Sequence, residues 1–246
     1  MQKDTPGILS SANPMMKAMQ RIEAFCGKSV GSEFGSWLSE AQKWPNSAAF
    51  LHSLAVAADK DVLFDHLATL RYGLIFKYLG FLLSFEPTGA KGSDLQITCD
   101  RTSATVEVTR FRPMNLGPSA LSKEEEQSGE WILEPYGDPR RDVAKSLRKV
   151  RDKFRQAIAP HAIIAVWNDD EALDELEMSM ALCDLKQDPR LPAGLDLVVY
   201  GSPWIGRFQL YAFPMKPQLD APIQELTQQI ESVNVLAAIN AALSVG

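Results

Sequence analysis

Apolar residues recur at spacings of three and four along the first part of the chain, which is the period of amphipathic helices. The pattern runs from about 14 to 58, with breaks at Gly27–Ser32 and Trp44–Asn46. Ser32 and Asn46 stand where N-caps would start the next helices. The pattern therefore predicts a helical segment in short pieces.

The clearest helix is predicted over Asp61–Leu79, with Gly80 just past its end as the residue that stops it. Its apolar residues form one stripe of Leu63, Leu67, Leu70, Leu74 and Tyr78. We therefore divide the chain into an N-terminal helical extension, 1–60, and an α/β domain, 61–246.

After Gly80 the period changes to that of strands. A short apolar run, Phe81–Phe85, precedes two alternating runs, Asp94–Cys99 and Ser103–Phe111, that suit a β-hairpin. In each run, every second residue belongs to an apolar face. The polar face consists of Asp94, Gln96, Thr98, Thr105, Glu107 and Thr109. The alternation predicts that two carboxylates share one face of this hairpin.

The second half alternates between helices and strands after a long loop, Pro113–Pro139, that contains Trp131. Among the tryptophans, Trp131 is the one to test for stacking on a nucleic-acid base, although a tryptophan more often serves in packing. Further helices are predicted over Arg140–Ala159, Glu171–Leu185 and from Ile223 onward, and further strands over His161–Trp167, Leu195–Tyr200 and Phe208–Phe213, the last at an edge.

Composition places the chain among ordinary globular proteins, with 46% hydrophobic and 23% charged residues in 246. No apolar run approaches the ~18 residues that cross a bilayer, and no secretory signal opens the sequence, so we expect a cytoplasmic protein without membrane contact. The three cysteines are scattered singly, which argues against a zinc site or a disulfide framework.

The net charge of −6 argues against coating of nucleic acid through overall positive charge, but it leaves room for a local basic face. Such a face is concentrated in the predicted helix 140–159, which has eight basic and two acidic residues. The basic ones are Arg140, Arg141, Lys145, Arg148, Lys149, Arg151, Lys153 and Arg155. A solvent-facing helix surface explains this run as well as a phosphate-binding face does.

The segment Gly92-Ser93-Asp94, followed by Glu107-Val108-Thr109, resembles the PD-(D/E)xK nuclease superfamily. The resemblance covers roughly Asp61–Trp167 and includes the order helix, three strands, helix, strand. It implies a restriction-endonuclease-like αβββαβ core with a mixed sheet, here preceded by the helical extension.

Two carboxylates on one face can hold Mg²⁺, or Mn²⁺, while leaving room for waters and a phosphate oxygen. The resemblance implies Asp94, Glu107 and Val108 as the metal-binding positions. The family's lysine, two residues after the glutamate, is Thr109 in this chain. An ammonium group could instead come from Lys91, Lys149 or Lys153.

Many relatives also have a glutamate on the helix before the first strand, where this chain has Thr69. Asp65 lies one turn earlier on the same helix face and is a candidate replacement, as is Glu86 at the end of the first strand. The candidate catalytic set is Asp94, Glu107, Thr109 and Asp65.

In this superfamily the helix after the hairpin commonly carries Lys and Gln, which Lys153 and Gln156 resemble. The candidate nucleic-acid-binding set, with DNA as the expected partner, is Lys91, Lys145, Arg148, Lys149, Lys153 and Gln156. The N-terminal helices are a candidate surface for a protein partner, and a homodimer is a further candidate assembly.

Three functions are therefore considered. The first is a divergent Mg²⁺-dependent endonuclease, and the second is a catalytically inactive nuclease-like domain that binds nucleic acid or protein. The third, an unrelated α/β enzyme for a small substrate, would need a deep apolar pocket. His52, His66 and His161 are far apart in sequence and are assigned no role.

Overall fold

A computed structural model describes most of the chain. The described residues are 13–28, 31–85, 93–100, 102–112, 139–157, 159–169, 175–204 and 207–244. Among the predicted functional residues, Glu86, Lys91 and Trp131 lie outside these ranges, as does most of the predicted long loop.

The N-terminal segment forms three helices, α1 (Pro14–Cys26), α2 (Gly31–Ala41) and α3 (Ser47–Ala55), with breaks where the sequence predicts them. Asn46 occupies the N-cap position of α3, as predicted, but its side chain makes no capping hydrogen bond. Its backbone is left-handed, with φ of 63°, and its Nδ2 donates 2.9 Å to the Phe85 carbonyl oxygen instead of capping α3. Ser32 lies inside α2 rather than before it.

The long helix α4 (Lys60–Tyr78) agrees with its prediction to within one residue at each end. Asp59 caps it, because its side chain accepts from the Val62 N–H at 2.8 Å, and Gly80 follows its end with φ of 89°. The stripe from Leu63 to Leu74 is fully buried, whereas Tyr78 at its end is 49% exposed.

Six strands form one open mixed sheet in the order β1-β2-β3-β4-β5-β6. Their bounds are β1 Leu82–Phe85, β2 Leu95–Cys99, β3 Thr102–Phe111, β4 Ala162–Asn168, β5 Leu195–Trp204 and β6 Arg207–Pro214. The pairs β3–β4 and β4–β5 are parallel, and the other neighbours are antiparallel. The predicted hairpin is β2–β3, and β6 is an edge strand that ends at Pro214.

The later helices are α5 (Pro139–Asp152), α6 (Glu175–Leu185), α7 (Ala221–Ile230) and α8 (Val235–Ser244). The prediction that α5 continues to Ala159 is wrong, because the helix ends at Asp152 and residues 153–156 form turns. The apolar stripe continues through Phe154, which is buried, and for that reason the periodicity did not reveal the end of the helix.

Each face of the sheet has its own apolar core. On one face, Val106 and Val108 pack with α4 and with the N-terminal helices, whose Ile22 and Leu38 belong to the same buried cluster. On the opposite face, Phe111 of β3 packs with residues of α5 and α6. Strand β3 therefore places alternate side chains toward two different sets of helices.

The described residues confirm an α/β protein with a mixed sheet and eight helices, and the order of elements from α4 to β4 is the predicted one. No described helix has both the length and the apolar character that spanning a bilayer requires.

Candidate metal centre

The register of the hairpin decides which side chains meet. Leu95 pairs with Val106, and Gln96 pairs with Thr105. Leu95 and Val106 are fully buried in the core that contains α4. The residues that alternate with Leu95 and Val106 therefore face the α5 side of the sheet. Asp94 and Glu107 are among them, as the alternation of the sequence predicts.

Asp94 lies immediately before β2. Strand β3 continues past its last described partner in β2, and there Asp94 Oδ2 accepts from the Val108 N–H at 2.7 Å. The N–H and carbonyl of one residue point to the same strand edge. The Val108 carbonyl thus lies on the edge that Asp94 occupies.

Glu107 is the most buried acid of the site, with 1% of its surface exposed. Its Oε2 lies 3.0 Å from Lys153 Nζ. Its Oε1 is also buried and receives no hydrogen bond of regular geometry in the part of the chain that the structure describes, although the Ser93 hydroxyl lies nearby. A buried carboxylate oxygen without a well-placed donor is costly, and it is a position where a cation would be stabilised.

This burial raises the pKa values of both carboxyl groups. Burial and then repulsion from Asp94 raise the pKa of Glu107 to about 7, while Lys153 and the Ser93 hydroxyl oppose the shift. Burial also raises the pKa of Asp94, and Lys153 and the Val108 N–H oppose it. The two carboxylates therefore repel one another at short range, and Lys153 compensates only in part.

Lys153 follows the end of α5 and reaches the site across the sheet face. Lys149, one turn earlier, is half-buried, and burial lowers its pKa, with Asp65 opposing and Arg112 and Lys153 reinforcing the shift. Lys149 thus lies near Asp65, Arg112 and Lys153, whereas Lys153 itself contacts Glu107. Of the three predicted sources of an ammonium group, the structure brings Lys153 into contact.

The Asp65 carboxylate is bound by two arginines rather than by the carboxylate centre. Its Oδ1 accepts from Arg110 Nε at 2.9 Å, and its Oδ2 accepts from Arg112 at 2.6 Å. It still raises the pKa of Asp94, so it lies within electrostatic reach of the pair. The Thr69 hydroxyl is turned to the Asp65 carbonyl oxygen at 3.4 Å.

The other candidates are spread around this centre. Thr109 shares the Glu107 face, is 9% exposed, and has no hydrogen bond to its side chain among the described residues. Arg148 is exposed on α5, Lys145 lies in α5, and Gln156 lies in the turns after it.

Some residues at this centre were not selected from the sequence. Buried Ser93 lies beside Glu107 and was visible only as part of the Gly92-Ser93-Asp94 segment. His66 of α4 is near enough to lower the pKa of Asp94. Arg110 and Arg112 pair with the acids of α4, and no local pattern indicated those contacts.

The donor set fits a hard divalent cation. Within the described ranges, no group of three or more His, Cys, Asp or Glu side chains is arranged to hold a metal. Mg²⁺, however, is commonly held by one or two carboxylates together with waters and substrate phosphates. Asp94, Glu107 with its buried Oε1 and the Val108 carbonyl supply oxygens of that kind.

In comparisons of the chain with protein-family models, with curated proteins and with solved structures, nothing matched.

Proposed function

We propose that this chain is a divergent metal-dependent endonuclease that hydrolyses DNA phosphodiester bonds, with Asp94 and Glu107 holding Mg²⁺ or Mn²⁺. The contact between Lys153 Nζ and Glu107 Oε2, 3.0 Å, carries the proposal. It brings to the carboxylate pair the positive charge that Thr109 cannot supply. The order of elements from α4 to β4 supports a restriction-endonuclease-like core.

Each residue has a distinct role in this proposal. Asp94, Glu107 and the Val108 carbonyl would hold the cation, which when bound supplies a polarised water and charge stabilisation at the phosphate. The Lys153 ammonium donates to the phosphate oxygen on which negative charge develops. Lys149 adds a second positive charge beside it, and exposed Arg148 contacts the nucleic-acid backbone.

The test is cleavage by the full chain in Mg²⁺ or Mn²⁺, on supercoiled, linear double-stranded and single-stranded DNA, with RNA in parallel. Asp94→Asn and Glu107→Gln preserve shape but remove the charge that holds the cation. We expect either change to abolish cutting. Glu231→Gln, which alters an exposed acid after α7, is the matched control and should cut normally.

Cutting that persists in both Asp94→Asn and Glu107→Gln would overturn the assignment of the site. Efficient cutting of RNA with intact DNA would instead change the substrate class. Calorimetric titration with Mn²⁺ gives a readout independent of turnover, because binding should disappear in Glu107→Gln and remain in Glu231→Gln.

A second candidate is a nuclease-like domain that binds nucleic acid or protein without cutting. The same ion pair favours it, since Lys153 neutralises Glu107 without any cation. This candidate predicts DNA binding with no Mn²⁺ binding and no cleavage by the unaltered chain.

A further inference from the structure

A separate pocket of about 450 Å³ lies at the C-terminal end of α5 and the turns that follow it. It is lined by Arg151, Asp152, Phe154, Arg155 and Arg190. Three arginines thus line one pocket in a protein whose overall charge is negative. None of these arginines takes part in the carboxylate centre.

The arginines are positioned by one buried acid, Asp188, whose side chain is 3% exposed. Arg190 contacts it through two atoms, with Nε 3.0 Å from Oδ1 and Nη2 2.9 Å from Oδ2. Arg151 Nε lies 2.7 Å from the same Oδ2. Because two cations share it, Asp188 is held charged, and the contact with Arg190 keeps its pKa well below the usual range.

Within the described residues, this arrangement leaves several N–H donors of these arginines without a partner. The Asp188 contacts use Nε and Nη2 of Arg190 and only Nε of Arg151, so Nη1 of Arg190 and both Nη groups of Arg151 can donate elsewhere. Arg155 is exposed and has no ion pair within the described ranges. Even with Asp152 and Asp188 counted against the three arginines, one positive charge remains.

Planar guanidinium groups in a fixed fork match the tetrahedral oxygens of a phosphate better than lysine does. The pocket of about 450 Å³ leaves room beside a phosphate group for part of a larger molecule. Phe154, which is 7% exposed, is the apolar member of the residues that line the pocket. Phosphate attached to a larger molecule is therefore the ligand chemistry that fits.

The pocket is also close to the proposed site of cleavage. Arg151 and Arg155 each lie two residues from Lys153, so their Cα atoms are at most about 7.6 Å from that of Lys153. A strand bound at Glu107 and Lys153 would place a neighbouring phosphate within reach of these arginines.

We infer that the pocket formed by Arg151, Arg155 and Arg190 binds a phosphate group of the nucleic-acid substrate, away from the bond that is cut. This inference rests on the proposed function for the identity of its ligand. The phosphate is either an internal diester or a terminal monoester, and the two have the same guanidinium chemistry.

The test is equilibrium binding of labelled single-stranded DNA by fluorescence anisotropy, in EDTA so that nothing is cut, over a series of salt concentrations. Arg155→Gln and the double change Arg151→Gln with Arg155→Gln should each weaken binding, by about tenfold for one charged hydrogen bond. The slope of log K against log salt should fall by about 0.7 for each lost contact with single-stranded DNA.

Lys186→Gln is the matched control, because it removes one exposed positive charge near Asp188 without touching the pocket. Oligonucleotides with a 5′-phosphate, a 3′-phosphate or hydroxyl ends separate the two sources of phosphate. A loss confined to one phosphorylated end assigns the terminal monoester, and an equal loss on all three assigns the internal diester.

Binding and salt slope equal to those of Lys186→Gln would overturn the inference, as would failure of the unaltered chain to bind DNA. The outcome is separable from that of the proposed function. Glu107→Gln should lose cleavage and keep the arginine-dependent binding, whereas the arginine changes leave the Mn²⁺ titration unchanged.

Discussion

Strand β3 presents two charged side chains, Glu107 and Arg110, to opposite faces of the sheet. Arg110 is 4% exposed and is surrounded by carboxylates, with Asp61, Asp65 and Asp169 each within 2.9 Å of a guanidinium nitrogen. Glu107 is equally buried but meets another acid and a single lysine, and one of its oxygens receives no hydrogen bond of regular geometry within the described ranges.

The difference separates two uses of a buried charge. The charge of this guanidinium is balanced by three carboxylates, so Arg110 ties β3 to α4 and to the end of β4. The carboxylate pair has too few positive partners, which is unfavourable in the free protein and is relieved by a cation. Substitutions on each face of the sheet can test this contrast.

The largest effect is expected from Lys153→Met. Loss of a charge that stabilises the transition state should lower kcat by roughly 10²–10³-fold. Lys153 also opposes the raised pKa of Glu107, so its removal should shift the activity profile to higher pH. Steady-state rates between pH 6 and 9, in the presence of Mg²⁺, measure both effects.

Thr109→Val is the control for Lys153→Met. Thr109 stands at the family's lysine position but has no side-chain hydrogen bond to any described residue, so we expect less than about a threefold change in rate. A large loss in Thr109→Val with little loss in Lys153→Met would reverse the roles assigned to the two residues.

On the other face, Arg110→Met should destabilise the fold without altering the chemistry directly. Removing the buried guanidinium leaves three partly exposed acids close together, at a cost of about 3 kcal/mol in the free energy of unfolding. Urea denaturation measures this. Arg112→Met is the matched control, because its pairs with Asp61 and Asp65 are solvent-exposed and should contribute less than about 1 kcal/mol.

Glu107→Gln should change the free energy of unfolding by less than Arg110→Met, and should raise it rather than lower it. The pKa of Glu107 is raised from 4.5 to about 7, so the folded state binds more protons than the unfolded state between those values. The free energy of unfolding should therefore fall as pH rises from 4.5 to 7. Glu107→Gln should remove this contribution and stabilise the protein by about 2 kcal/mol at pH 8 in EDTA.

Urea denaturation of both proteins at pH 5 and pH 8 measures the effect of Glu107→Gln. Equal stability of the two proteins at pH 8 would show that Glu107 is not strained in the absence of a cation, and the contrast with Arg110 would then disappear.

Local periodicity was sufficient for much of this structure. The stripe from Leu63 to Leu74 predicted α4, and the alternation through Leu95 and Val106 predicted both the hairpin and the shared face of Asp94 and Glu107. These predictions depend only on the repeat lengths of helix and strand, which neighbouring residues determine.

What local patterns could not provide are contacts between distant segments. Lys153 was one of three candidates because the position of α5 against the sheet depends on packing of the whole domain. The ion pair between Arg110 and Asp65 could not be predicted. Arg110 lies on the same face of β3 as Val106 and Val108, so a charged residue there breaks the apolar pattern. Asn46 occupies its predicted N-cap position, but the contact of its side chain with β1 is likewise one between distant segments.

The hydrogen bond from the Val108 N–H to Asp94 has a consequence for assembly of the fold. A shift of one residue in the pairing of β2 with β3 would turn every β2 side chain to the other face and carry Asp94 away from both Val108 and Glu107. The acid that is proposed to hold a cation thus also distinguishes the correct strand alignment from its nearest misalignment. A chain that pairs these strands wrongly would lack the site altogether, so any cation bound there would select correctly aligned molecules.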